Sequence, residues 1–145
     1  MEKTRVAVIG LGSVAQLVHL PNLVKIKNAE ITALAEVNKS RLNSVADKYE
    51  IKQRYTDYTK LLDDENIDAV IIATPTHLHK QIAIDCLTAG KDVLVEKPLA
   101  RNSSEGIEVI KCAKKNNRKL MVGMNLRYRP DSMSVSYTHL TLPTN

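Results

Sequence analysis

The 145 residues contain no tryptophan and no phenylalanine, so five tyrosines are the whole aromatic complement. A core must then be filled by Ile, Val, Leu, Ala and Met, which suits a parallel sheet covered by helices and argues against a sandwich packed around aromatic anchors. Cysteine is scarce too. Cys86 and Cys112 both fall in helical apolar patterns without metal-type spacing, so they read as reduced core thiols and imply the cytoplasm. Five glycines and five prolines, with no low-complexity tract, exclude a disordered or fibrous chain. No apolar run approaches the ~18 residues of a membrane span. No apolar targeting segment precedes Arg5, so the domain is expected to begin at the first residue. The length suits one ordinary domain and is short for two.

Charge, by contrast, is plentiful: 21 Lys and Arg against 16 Asp and Glu leave a formal +5, and a basic surplus raises the question of nucleic acid. The cations are interleaved with acids except at Lys111, Lys114, Lys115, Arg118 and Lys119, at the end of a predicted helix, where cations complement the dipole. No aromatics interleave with them as a single-strand binder needs. They read as a solvated face, and no nucleic-acid or membrane partner is expected.

Arg5 to Gly10 is a short apolar run ending at glycine, the pattern of a strand buried on both faces. From Ser13, apolar positions recur at helical spacing until Pro21 breaks or offsets the helix. Further strands are predicted at 31–37, at Arg54-Tyr55, at 67–74, 92–96 and 119–124. Helices are predicted at 39–49, from an Asp57 cap to Leu62, at 76–89 with Gly90 as a left-handed cap, and to Lys115 from a cap at Asn102 or Ser103. This alternation predicts a doubly wound parallel α/β sheet, a Rossmann fold, whose ligands lie at the carboxyl ends of the strands.

Four strand ends carry chemistry. Gly10-Leu11-Gly12-Ser13-Val14-Ala15 matches the dinucleotide fingerprint in its Ala-ended form: Gly10 for the tight turn, Gly12 for close approach of a pyrophosphate, Ala15 for packing of the helix whose N-terminus faces the phosphates. Glu36 follows at about the ~20-residue distance at which a carboxylate accepts from the adenosine ribose; its alternative is an ordinary exposed Glu. The acid argues for NAD, while Arg41 could meet the 2′-phosphate of NADP. After the fourth strand, Thr74-Pro75-Thr76-His77-Leu78-His79 offers hydroxyls for an N-cap and for cofactor contacts. Neither histidine is assigned an acid–base role. Two apart on a helix, they do not face one direction, so no metal site is expected. At Glu96-Lys97-Pro98 a lysine at the sheet's carboxyl edge could stabilise alkoxide-like charge on a substrate oxygen, or merely pair with Glu96.

In this order and at these separations, the Gly10–Ala15, Thr74–His79 and Glu96-Lys97-Pro98-Leu99-Ala100 segments resemble the N-terminal half of the glucose–fructose oxidoreductase, inositol dehydrogenase and MocA-type family (Gfo/Idh/MocA). The resemblance spans about Arg5 to Pro130, and the Glu-Lys-Pro element is its specific part. It implies an NAD(P)-dependent dehydrogenase or reductase acting on a sugar, cyclitol or related polyol. Lys97 would be the catalytic lysine and Glu36 would hold the ribose. Thr74, Pro75 and His77 would lie near the cofactor, with Gly10, Gly12, Ser13, Val14 and Ala15 beneath it. Glu96 and Asn125 would border the nicotinamide, and Arg127 follows as a further candidate.

The family's second α/β domain, which supplies further acid–base groups and commonly the homo-oligomer contact, has no counterpart in the residues after Asn125. Residues 1–125 are therefore expected to be the NAD(P)-binding domain, and 126–134 the start of the crossing to an absent substrate domain. Val135 to Thr144 resembles translated library-adapter sequence, so 135–145 is expected to be a non-native or disordered tail. Nucleotide binding without useful turnover is the expectation for such a chain. The rival is a regulatory module that binds NAD without catalysis.

Overall fold

The computed structural model describes residues 3–124. Strands β1 (Thr4–Ile9), β2 (Ala29–Ala35), β3 (Gln53–Tyr55), β4 (Ala69–Ile72), β5 (Asp92–Glu96) and β6 (Leu120–Gly123) form one sheet in the order β3-β2-β1-β4-β5-β6. Every pairing is parallel, which is the dinucleotide-binding order with its reversal between β1 and β4. Helices α1 (Leu20–Leu23), α2 (Lys39–Lys48), α3 (Thr76–Thr88) and α4 (Ser103–Lys115) make the crossovers, with a 3₁₀ turn at Tyr58–Leu61. No helix among the described residues is long and apolar enough to cross a membrane.

The apolar strands are buried on both faces, as their unbroken hydrophobicity demands. Ala7 and Ile9 of β1 and Val70 and Ile72 of β4 point into one layer with Ile82, Cys86 and Leu87 of α3 and Val109 of α4. Val6, Val8 and Ile71 point the other way, against Leu20 and Leu23 of α1 and Leu42, Val45 and Ala46 of α2.

Local signals set the boundaries. Asn38 Oδ1 accepts from Arg41 N–H and Asn102 Oδ1 from Glu105 N–H, both at 3.0 Å, so Asn102 rather than Ser103 caps α4. Gly90 takes φ +76° and closes α3, with Lys91 N–H on the Cys86 carbonyl and Gly90 N–H on that of Leu87. The helix after the glycine turn is offset, not simply broken, at Pro21. Residues Ala15–His19 form a π-helical turn in which Leu20 N–H reaches back five residues to the Ala15 carbonyl. A proline has no N–H and its ring crowds the carbonyl four residues earlier, and a widened turn absorbs both. Strand β2 stops at Ala35, short of the expected Val37: Glu36 N–H turns to the Tyr55 carbonyl, and Asn38 N–H folds back on Glu36.

One ion pair fastens the start of β1 to the loop before β4. Asp68 accepts from Arg5 through its backbone N–H at 2.7 Å, Nη2 at 2.7 Å and Nε at 3.0 Å. These hydrogen bonds outweigh burial and hold the Asp68 carboxyl down at about 2, against 3.8 for an ordinary aspartate. The folded chain thus binds fewer protons than the unfolded one in this window, so the stabilisation is full above 3.8 and is lost as pH falls to about 2. Both side chains are partly exposed, so Asp68→Asn is expected to remove only about 1 kcal/mol at neutral pH. Urea unfolding should show that difference vanish in acid.

Candidate functional site

The carboxyl ends of β1, β2 and β4 open on a cleft of about 720 Å³. Its floor is the glycine turn. Gly10 takes φ +86°, and a Cβ there would lie 2.7 Å from the Ala73 carbonyl oxygen, so the fold itself demands glycine. Gly12 is different in kind: its φ lies outside the left-handed region, and no atom stands within 4 Å of where its Cβ would be. Nothing among the described residues requires glycine at 12, and the space it leaves faces the cleft. Ala15 is wholly buried between helix and sheet, whereas Ser13 and Val14 line the opening.

Glu36 forms the next wall, only 8% exposed. Its Oε2 accepts from Leu11 N–H at 2.9 Å and from Arg41 Nη1 at 3.4 Å, and its Oε1 from Asn38 N–H at 2.9 Å. Burial opposes the charge, but the N–H groups of Asn38 and Leu11 and the Arg41 guanidinium outweigh it and hold the carboxyl below its ordinary range. An anion therefore stands at the end of β2 with a half-exposed cation beside it.

Sequence reasoning missed much of the far wall. Val37 is 86% exposed and faces the cleft; an apolar residue one step beyond the end of the strand was the available signal. Tyr58, Leu78 and Gln81 complete that wall. Tyr58 donates to Asp85 Oδ2 at 2.7 Å, and burial with that carboxylate pushes the phenol well above its usual range, so it stays a neutral donor. No short-range pattern announces a contact 27 residues apart.

At the end of β4, Thr74 and Pro75 line the cleft. The expected hydroxyl N-cap is not formed: Pro75 holds the cap position without a side-chain hydrogen bond, and Thr74 Oγ1 is buried without a partner among the described residues. A buried hydroxyl left unmade costs roughly 1–3 kcal/mol. His77 is exposed and does not line the cleft. His79 is 1% exposed, with Nδ1 2.7 Å from the Pro98 carbonyl and Nε2 2.8 Å from that of Thr74.

β5, the neighbour of β4, ends at Glu96-Lys97, whose peptide to Pro98 is cis. Glu96 Oε1 meets His19 Nε2 at 2.7 Å, and Oε2 accepts Lys97 N–H at 3.2 Å. The carboxylate lies against Gly123, where a Cβ would stand 3.1 Å from Oε1. The simple Lys97–Glu96 ion pair is therefore not made: the Lys97 side chain is exposed, and its ammonium has no partner among the described residues. Asn125 and Arg127 lie outside the described residues. No group of three His, Cys, Asp or Glu among the described residues could hold a metal ion.

The donor set fits a dinucleotide. Gly12 leaves backbone open at the cleft, and Glu36 holds an anion beside it, the two features a diphosphate and a ribose call for. A family profile described as "Oxidoreductase family, NAD-binding Rossmann fold" (GFO_IDH_MocA) matches residues 4–124. The chain is 35% identical over 124 residues to a myo-inositol 2-dehydrogenase of Thermotoga maritima, covering 86% of this chain and 37% of that protein. It is 36% identical over 135 residues to a 4-carboxy-2-hydroxymuconate-6-semialdehyde dehydrogenase of a Sphingobium species, covering 93% and 42%. The fold is similar to a 3-ketoreductase from Actinomadura kijaniata crystallised with NADP and TDP-benzene, at TM-score 0.88 and 28% identity over 95% of this chain and 42% of that one. The chain thus spans only about two-fifths of the length of these relatives. Since the matched residues run from the first strand of the sheet past the last, the chain belongs to the Gfo/Idh/MocA oxidoreductase family, as an example of its NAD-binding Rossmann fold.

Proposed function

We propose that this chain is the nucleotide-binding part of an NAD(P)-dependent dehydrogenase or reductase acting on a hydroxyl-bearing carbon of a sugar, cyclitol or related polyol, with NAD preferred. The observation that carries the reading is Gly12, a glycine the fold does not need, opening a cleft beside an anionic Glu36. The names of the inositol dehydrogenase and ketoreductase relatives support the substrate class.

The nicotinamide, when bound, supplies or takes up the hydride. The Gly10–Ala15 turn and the helix that follows hold the diphosphate, and Glu36 accepts from the adenosine ribose. Thr74 and Pro75 line the path toward β5, with His77 just beyond them. Glu96, and Asn125 with it, borders the reactive end. Lys97 is the catalytic residue: its unpaired ammonium donates to the substrate oxygen and steadies the charge that develops there. The substrate wall and further acid–base groups come from a second α/β domain, through which homo-oligomers form. The free thiols of Cys86 and Cys112 support a reducing, cytoplasmic setting.

Titration of the purified chain against NADH fluorescence tests this reading. Binding is expected, and none at millimolar cofactor with the fold intact would overturn it. In a chain joined to its substrate-binding part, Lys97→Ala is expected to leave the NADH dissociation constant within about twofold and to lower kcat by roughly 10²–10⁴. Unchanged turnover would instead favour the non-catalytic module.

A further inference from the structure

Lys97 has histidines on both sides. On its N-terminal side, Glu96 is gripped by His19 from the π-helical turn that follows the glycine turn. On its C-terminal side, the Pro98 carbonyl is gripped by His79 of α3. Neither histidine lines the nucleotide cleft, yet each follows a segment that does: Gly12–Val14 before the π-helical turn and Thr74-Pro75 before α3. We propose that His19 and His79 are positioning residues for Lys97, which clamp the two residues flanking it and tie them to the two loops that floor the cleft. This rests on the proposed role of Lys97.

The bonds explain the division of labour. Glu96 uses one carboxylate oxygen for His19 and the other for the Lys97 N–H, so the His19 bond fixes the orientation in which the carboxylate can hold the Lys97 peptide. Without it, a glutamate at the end of a strand is free to rotate into water. His79 faces a carbonyl oxygen at each ring nitrogen, both pure acceptors, one at the exit of β4 and one at Pro98. A neutral imidazole has one N–H, so with that proton on Nδ1 the ring donates to the Pro98 carbonyl and ties it to α3. The two grips come from the two layers of the fold, so Lys97 is referenced to both faces of the sheet.

Backbone amide hydrogen exchange of the cofactor-free chain, followed by NMR, tests the clamp. In His19→Leu and in His79→Phe the Lys97 amide should exchange roughly five- to tenfold faster, the change expected on losing one net hydrogen bond. The core amides of Val8, Val70 and Val93 should be unchanged. His19→Gln, which keeps a donor for Glu96, should restore Lys97 to within about threefold of the wild type. Because His79→Phe removes the ring N–H from between the two carbonyls and can unfold the chain, the His19 pair decides in that event. Unchanged Lys97 exchange in a folded His19→Leu variant overturns the proposal. Acceleration that spreads equally to the core amides, or no rescue by Gln, overturns it as well. Failure of the wild type to bind NADH would sink the proposed function alone, because the exchange pattern is read without nucleotide.

Discussion

Alanine at Gly10 and alanine at Gly12 should have opposite consequences, although the two glycines stand two residues apart in one motif. At Gly10 a side chain enters a left-handed backbone, which costs about 1–2 kcal/mol, and its Cβ would lie 2.7 Å from the Ala73 oxygen and 2.8 Å from the Ala73 carbonyl carbon. Both are backbone atoms of the exit from β4, so relief requires a shift of the sheet edge, worth a further 1–3 kcal/mol or so. Gly10→Ala is therefore expected to lose roughly 2–5 kcal/mol in urea unfolding, a large share of a domain's ~5–15 kcal/mol.

Gly12→Ala meets no atom and no forbidden φ. It should leave stability unchanged or raise it by up to ~1 kcal/mol, because alanine has fewer unfolded conformations to lose. On the proposed function its methyl would occupy the space through which a diphosphate approaches the backbone, so NADH affinity should fall roughly 10- to 100-fold. Thermal unfolding and fluorescence titration of the two variants separate the roles. Retained NADH affinity in Gly12→Ala would remove the observation on which the proposed function stands.

Glu36→Ala should have the second large effect, and on two properties at once. The carboxylate serves the N–H groups of Leu11 and Asn38, and Leu11 is wholly buried. Their loss should remove about 1–3 kcal/mol of stability. Since the carboxyl titrates below its ordinary 4.5 in the folded chain, this contribution is present above that value and is lost as pH falls through the lower folded one. The wild-type advantage over Glu36→Ala should accordingly shrink in acid. On the proposed function NADH would lose a ribose acceptor, while the Arg41 guanidinium, 3.4 Å from the carboxylate, would be released toward a 2′-phosphate. The ratio of NADH to NADPH affinity should shift toward NADPH by roughly 100-fold. An unchanged ratio would show that Glu36 serves the glycine turn alone.

Much of this was legible before any coordinates. Strand β5 begins and ends where the Asp92–Glu96 pattern says it should, and the Gly90 cap, the Asp57 cap and the four-helix alternation follow from turn and capping chemistry within a few residues. Val37 reads as a continuing strand because it is apolar, but β1 ends at Ile9 and leaves the chain beyond Ala35 to turn away. The Thr74 hydroxyl reads as an N-cap because threonine caps helices, yet Pro75 takes the cap position and the hydroxyl is buried without a partner among the described residues.

The amino-acid order alone determined the parallel layered fold and the glycine turn, because hydrophobic period, caps and positive-φ glycines act over a few residues. It also marked out the ends of β1, β2, β4 and β5 as the places where chemistry gathers. Only the folded chain decided which groups at those ends meet: His19 on Glu96 across 77 positions, His79 between Thr74 and Pro98, and Glu36 turned onto Leu11. Those pairings depend on β4 packing beside β1 on the side away from β2, a choice made by both buried faces of the sheet together and written in no single segment.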